Sequence, residues 1–274
     1  MGKLSPVILV TNDDGIAAEG LVALAAALEE LGQVYVVAPD RERSTVGHSL
    51  TLHRPLRAER VGERRFAVNG MPADCVNLGV LGLLPAPPSL VVSGINHGAN
   101  LGDDVTYSGT VSAAMEGTLL GVPSFAVSLV KRGEGGSVEG RAFVDAARMA
   151  CVIGARVLGE GLPPKTLLNV NVPYGRPKGV RLTRLGHRIY KEKVVEEVDP
   201  RGKTYYWIGA GPPIWDDRES TDIAAIHEGC VSVTPLGLDL THYDALNMMA
   251  PWEGFLTAQL HSRGSGQAPR RVRE

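Results

Sequence analysis

The sequence predicts an α/β protein with a doubly wound, mostly parallel sheet in three layers. Three observations carry that expectation. Short apolar runs rich in β-branched residues recur at 6–11, 34–38, 89–92, 124–130 and 166–172. Each run suits a strand buried on both faces and is too short for a helix. Segments of helical period separate most of them, and strand–helix–strand crossovers make parallel sheets. Polar residues gather where several runs end, which is where open parallel sheets bind ligands.

Pro6–Thr11 (PVILVT) reads as the first strand and leads into Asn12-Asp13-Asp14-Gly15. A helical period follows at Leu21, Leu24, Ala25, Leu28 and Leu31, ended by Gly32. Val34–Ala38 is the second strand, stopped by Pro39-Asp40, and 39–58 is a polar loop entering an extended segment. Ala73–Leu84 has a helical pattern, broken by Pro85-Ala86-Pro87-Pro88. Ser89–Val92 is the third strand, followed by a glycine-rich stretch over 93–108. A helix runs from Thr110 to Leu120 with Ser108 as N-cap. Strand 124–130, loop 133–140, helix 141–158 and strand 166–172 complete the alternation. After Pro173 the character changes. Val180–Leu185 alternates, Lys191–Val198 and Lys203–Ile208 flank a four-residue hairpin loop at 199–202, and Glu228–Pro235 is another strand. Tyr243–Leu260 reads as a terminal helix interrupted by Pro251. The expected organisation is a core over 1–174, an accessory region over 175–261 and a disordered, arginine-bearing tail over 262–274.

Composition narrows the function. Apolar residues make up 44% of 274, enough for a sizeable core. Lys+Arg 28 against Asp+Glu 30 leaves a net charge of −2, with no basic excess to bind a nucleic-acid polymer. Cys75, Cys151 and Cys230 are odd in number and widely spaced, which excludes a disulfide framework and a thiolate zinc site and points to a reducing, intracellular setting. No apolar run approaches the ~18 residues of a membrane span. Asp13 and Asp14 follow too short an apolar stretch for a signal peptide.

Three expected strand ends carry hard oxygen donors: Asn12-Asp13-Asp14, the segment Pro39–Ser44, and Ser93-Gly94-Ile95-Asn96. Such donors suit Mg²⁺, Mn²⁺ or Ca²⁺. Asp13-Asp14-Gly15 alone is an ordinary turn with a helix cap, but a common site explains all three ends at once. Asp103-Asp104 is either a second metal pair or a solvated loop. Gly94, Gly98, Gly102 and Gly109 let backbone N–H groups approach a ligand, and Ser108-Gly109-Thr110 opens a helix, whose N-terminus is an anion site. The candidate phosphate and substrate contacts are Asn12, Gly98, Asn100, Ser108, Gly109 and Thr110, with Tyr107 placed to stack on a base. His48 follows Ser44 in one loop and is a candidate substrate contact. The other histidines lack ligand spacing. Tyr206 and Trp207 read as packing or interface residues.

The patterns V-T-N-D-D-G at 10–15, A-P-D-R-x-R-S at 38–44 and S-G-I-N-x-G-x-N-L-G-D-D-V-x-Y-S-G-T-V at 93–111 resemble the SurE survival-protein family of 5′/3′-nucleotidases. The resemblance continues through Pro72–Val76, Leu168–Pro173, Asp199–Gly202 with Tyr206-Trp207, and Glu228–Leu236. It implies a Rossmann-like core and one divalent cation per subunit, Mg²⁺ or Mn²⁺, held by Asp13, Asp14, Ser44 and Asn96. Asp13, Asp14 and Asn96 are then the catalytic residues. It implies hydrolysis of nucleoside 5′-monophosphates, extending to 3′, a cytoplasmic setting, and homodimers or homotetramers built through the C-terminal half. Met71 departs from the family, where Thr precedes Pro-Ala-Asp.

The bound metal would polarise a phosphoryl oxygen and activate a water, while the helix N-terminus holds the phosphate. An aspartyl phosphate on Asp13 is the rival mechanism, although Asp-nucleophile enzymes show Asp-x-Asp and these two are adjacent. No Gly-x-Ser-x-Gly elbow supports a serine hydrolase, and no G-x-G-x-x-G follows strand one to support a dehydrogenase. A non-enzymatic nucleotide-binding or sensing module is the competing class. It gains nothing from two carboxylates beside a phosphate without a cation.

Overall fold

The structure is a computed structural model and describes residues 5–130, 140–189, 194–208, 214–216 and 218–262. Two compact units are present, Met1–Leu238 and Asp239–Glu274. The expected loop at 133–139 and tail beyond 262 lie outside the described residues.

The first βαβ unit is β1 (Val7–Thr11), α1 (Glu19–Leu28) and β2 (Gln33–Pro39). Leu31, expected in the helix, lies in the turn after it and packs on the core. Next come β3 (Ala58–Gly62) and β4 (Arg65–Val68), an antiparallel pair inside what the sequence presents as loop and extended chain. Helix α2 (Pro72–Leu78) stops earlier than its pattern predicts and gives way to one π-helical turn over Gly79–Leu83. β5 (Leu90–His97) is longer than expected. The glycine-rich segment begins as strand, because Asn96 and His97 pair with Ser128 and Leu129 after a register shift that follows Ser93. A 3₁₀ turn at Gly102–Thr106 leads to α3 (Gly109–Leu119), where Ser108 caps as predicted by accepting the Val111 N–H. β6 (Ser124–Leu129), α4 (Gly140–Glu160) and β7 (Thr166–Val172) agree with the sequence pattern.

Beyond β7, the alternating 180–185 segment yields only β8 (Val180–Leu182), with β9 at His187–Ile189. β10 (Val195–Val198) and β11 (Thr204–Trp207) form the predicted hairpin. Its loop is tighter than expected: Asp199 and Lys203 pair, with the Asp199 N–H 2.8 Å from the Lys203 carbonyl, leaving three residues between them. β12 (Ile214–Asp216) pairs with β9. An unforeseen short helix, α5 (Asp222–His227), precedes the expected last strand, and the turn that ends it takes up Glu228–Cys230, so β13 begins at Val231 and runs to Gly237. In the second unit, α6 (Tyr243–Ser262) continues through Pro251 without interruption.

The large sheet has nine strands in the order β3-β4-β2-β1-β5-β6-β7-β13-β8. β2, β1, β5, β6 and β7 run parallel, and β13 returns antiparallel beside β7. This is the predicted doubly wound, mostly parallel sheet. Successive side chains on a strand face opposite ways, and both faces here are covered. Ile8 and Val10 pack with Leu24 and Leu28 of α1 and Ala146 and Ala150 of α4. Leu9 faces the other layer with Cys75 and Val76 of α2 and Ala113 of α3. Fully burying a side chain such as Leu24 stabilises the fold by ~1.5–3 kcal/mol.

Candidate active site

β1 lies between β2 and β5, parallel to both, so the carboxyl ends of all three strands come together. A cleft of about 740 Å³ opens there. Asp13, Asp14, Ser44 and Asn96 all line it, together with Asn100, Tyr107 and Ser108. The four expected metal ligands, up to 83 positions apart in sequence, thus meet at one place.

Asp13 is buried and sits against the first turn of α3. Its Oδ2 accepts the Thr110 N–H at 3.1 Å, and its Oδ1 accepts the Thr110 hydroxyl. Burial pushes its carboxyl up to about 6; the Thr110 hydrogen bond opposes this and the neighbouring Asp14 charge adds to it. A helix N-terminus is a favourable place for that charge. The close approach depends on Gly109, whose Cβ, if present, would lie 2.8 Å from Asp13 Oδ2. Asp14 Oδ2 accepts the His97 N–H at 3.3 Å. Asn96 donates its amide N–H to the Gly98 carbonyl at 2.9 Å, so its amide oxygen is the atom of that side chain that could hold a cation. Ser44 donates to Glu42 at 2.5 Å, and the Arg43 N–H reaches the Asp13 carbonyl at 2.7 Å.

The remaining expected contacts divide. Asn100 and Tyr107 line the cleft; Asn12, Gly98, Gly109 and Thr110 are not among its lining residues. The Asn12 side chain closes the turn that presents the two aspartates, bonding the Gly15 carbonyl at 3.0 Å and the Gly15 N–H at 3.2 Å. Gly98 gives its N–H to the Leu129 carbonyl. Thr110 commits both its donors to Asp13. Asn100 is gripped by β6 and β7: its N–H meets Asn171 Oδ1, its amide meets Ser128 Oγ, and its carbonyl accepts from Asn169 and Asn171.

Several features add to the expected site or depart from it. Glu42, His97 and Asp104 also line the cleft. Of the Asp103-Asp104 pair, only Asp104 is part of the lining, while Asp103 lies 3.5 Å from His187. His48 does not reach the cleft lining; its Nε2 lies 2.6 Å from the buried Glu116 carboxylate. Met71 offers no hydroxyl to cap α2, and Asp74 serves instead, accepting the Met71 and Thr51 N–H groups.

The donor set fits a hard divalent cation: two carboxylates, a hydroxyl and an amide oxygen. Among the described residues no group of three or more His, Cys, Asp or Glu side chains comes together as a metal site. Charge reinforces the fit. Asp13, Asp14, Glu42 and Asp104 line the cleft, and among the described residues no Lys or Arg does.

Oxygen donors at the carboxyl ends of three adjacent parallel strands, with a helix N-terminus beneath one of them, define an α/β protein with an acidic cleft at the strand ends of its sheet. The family described as Survival protein SurE matches residues 8–192, and the chain belongs to the SurE family. It is 57% identical over 246 residues to the 5′-nucleotidase SurE of Syntrophotalea carbinolica, covering 90% of this chain and 97% of that protein. The 5′-nucleotidase SurE of Geotalea daltonii is 55% identical over 251 residues, covering 90% and 99%. The crystal structure of the SurE protein from Aquifex aeolicus superposes with a TM-score of 0.81 at 47% identity, covering 90% of this chain and all of that one.

Proposed function

We propose that the chain is a phosphomonoesterase hydrolysing nucleoside 5′-monophosphates to nucleoside and phosphate. It would use one divalent cation, Mg²⁺ or Mn²⁺, held by Asp13, Asp14, Ser44 and Asn96. The charge of the cleft carries the reading. A phosphate dianion entering it meets four carboxylate side chains and no Lys or Arg among the described lining residues, so only a cation can make the approach favourable. The relatives that are 57% and 55% identical bear the name 5′-nucleotidase, which supports the same activity here.

When bound, the cation supplies Lewis acidity, drawing charge from a phosphoryl oxygen and lowering the pKa of water. The chain's own groups supply position. Asp13 is held by Thr110, Asp14 by the His97 N–H, and Asn96 by the Gly98 carbonyl, so three ligand side chains are oriented before substrate arrives. Asn100 and Ser108 stand on the wall where phosphate oxygens would lie. Tyr107, 57% exposed, offers a ring face to the base.

A panel of nucleoside 5′- and 3′-monophosphates and short polyphosphate tests this, given to metal-free protein with Mg²⁺ or Mn²⁺ restored. Release of phosphate from 5′-monophosphates is expected. Stoichiometric nucleotide binding without release would instead favour a sensing module.

The reading extends to assembly and setting. The hairpin presents Tyr206 and Trp207 at 59% and 60% exposure, and α6 presents Trp252 and Phe255 at 58% and 66%. Surfaces of this kind support homodimers or homotetramers built through the region after 174. Among the described residues no helix is long and apolar enough to cross a membrane, and the three cysteines are free, which agrees with a reducing cytoplasm.

A further inference from the structure

We propose that Glu116 and His48 form a positioning pair that sets the loop delivering Ser44 to the cleft, so that Glu116 shapes the cation site without lining it. The inference rests on the ligand set proposed above. Residues 40–57 join β2 to β3 without regular structure, and from Arg43 to Thr51 four tethers hold the loop to the rest of the fold. Three of these use its backbone: the Arg43 N–H to the Asp13 carbonyl at 2.7 Å, the Gly47 N–H to the Tyr107 carbonyl at 3.2 Å, and the Thr51 N–H to Asp74 Oδ1 at 2.8 Å. The fourth joins two side chains. His48 Nε2 lies 2.6 Å from Glu116 Oε2.

Glu116 is built for this task. It lies in α3, the helix whose first turn holds Asp13, and it is only 7% exposed. A buried carboxylate is costly unless its oxygens are satisfied. Its Oε1 accepts the Asn77 amide at 2.6 Å, so α2 holds one oxygen and leaves the other for His48. Neither partner is Lys or Arg. The carboxylate is thereby a rigid acceptor spanning α2, α3 and the loop.

The chain between Ser44 and His48 needs such a clamp. Thr45, which lines the cleft, has φ +55°, and Gly47 has φ +56°. A β-branched residue rarely adopts that conformation, and it persists only where the surroundings over-determine it. The Arg43 tether fixes one end of this strained turn, and the Gly47 tether with the His48–Glu116 pair fixes the other. Loss of the pair lets Thr45 relax toward ordinary backbone and carries Ser44 with it.

The test is a double-mutant cycle read in two ways, as Mn²⁺ affinity from the free-ion electron paramagnetic resonance signal and as turnover. His48→Ala should weaken Mn²⁺ binding about tenfold or more, the usual effect of removing a group that orients a ligand. In a Ser44→Ala background the same change should alter affinity by less than about twofold, because the two act as a unit. His48→Gln keeps an N–H at similar reach and should recover most of the loss. Glu116→Ala should mimic His48→Ala where it folds, as judged by circular dichroism, and the exposed-loop His48 variants carry the test if it does not. Equal effects of His48→Ala with and without Ser44 would overturn the pairing, as would wild-type affinity in His48→Ala. A wild-type chain that binds no Mn²⁺ would instead contradict the ligand set itself.

Discussion

Asp13 concentrates the chemistry of the site in one side chain. It is the most buried of the proposed ligands, and the Thr110 bonds hold its carboxylate in place. Asp13→Asn and Asp14→Asn should each cut kcat by about 10²-fold or more, the scale seen when a preorganised electrostatic group is lost. Both variants should keep their circular dichroism spectra. Ser44→Ala should cost less, since water can replace a neutral ligand; near-wild-type kcat in either aspartate variant would refute their assignment. Asp13 also sets a pH dependence. Its folded pKa of about 6 lies above the ordinary 3.8, so its contribution to stability is present below the ordinary value and is lost as pH rises through 6. A cation binds only the ionised form. The rise in Tm that Mn²⁺ produces should therefore be small near pH 5 and grow through about pH 7, where a pH-independent rise would contradict the ligand role of Asp13.

Two glycines decide how closely the elements of the site approach. A Cβ on Gly109 would lie 2.8 Å from Asp13 Oδ2 and 2.9 Å from Asp13 Cβ. Gly109→Ala should therefore lower turnover far more than it lowers Tm, and unchanged turnover would show that Asp13 has room to move. Gly94 in β5 has φ +138°, and a Cβ there would lie 2.3 Å from the Val127 carbonyl oxygen. Gly94→Ala should destabilise the fold by ~1–3 kcal/mol or more in urea unfolding, as over-packed cores do. The parallel strands and their helices were legible because Val7–Thr11 and Ser124–Leu129 are mostly apolar and buried along their length, as strands covered on both faces tend to be. β3 escaped notice because Ala58–Arg60 is exposed and charged at the sheet edge, where no apolar pattern is required. The end of β5 escaped because Asn96 and His97 look like loop, although their backbones pair with β6. The proposed ligands stood out as polar groups closing apolar runs. The Glu116–His48 contact did not, since a pairing 68 positions apart leaves no local periodicity.

At the scale of the molecule, the region after 174 contributes both to the large sheet, through β8 and β13, and to an exposed hairpin. Two-stranded hairpins are marginal alone in water. Tyr205 and Trp207 stack edge-on at 6.4 Å on this one, which leaves an aromatic surface suited to a second copy. Replacing residues 195–207 by Gly-Ser should lower the oligomeric mass seen by light scattering while Mn²⁺ binding persists; an unchanged mass would remove the hairpin from the interface. The cleft itself makes a sharper demand, because its described lining side chains carry no cation of their own. Hydrolysis of adenosine 5′-monophosphate by rigorously metal-free protein, followed as Mn²⁺ is titrated in, tests that demand most directly. Phosphate release should rise from background and saturate at one bound Mn²⁺ per chain, with Asp14→Asn abolishing both binding and release. Full release before any metal is added, or Mn²⁺ saturation with no release at all, would contradict a cation-dependent phosphomonoesterase.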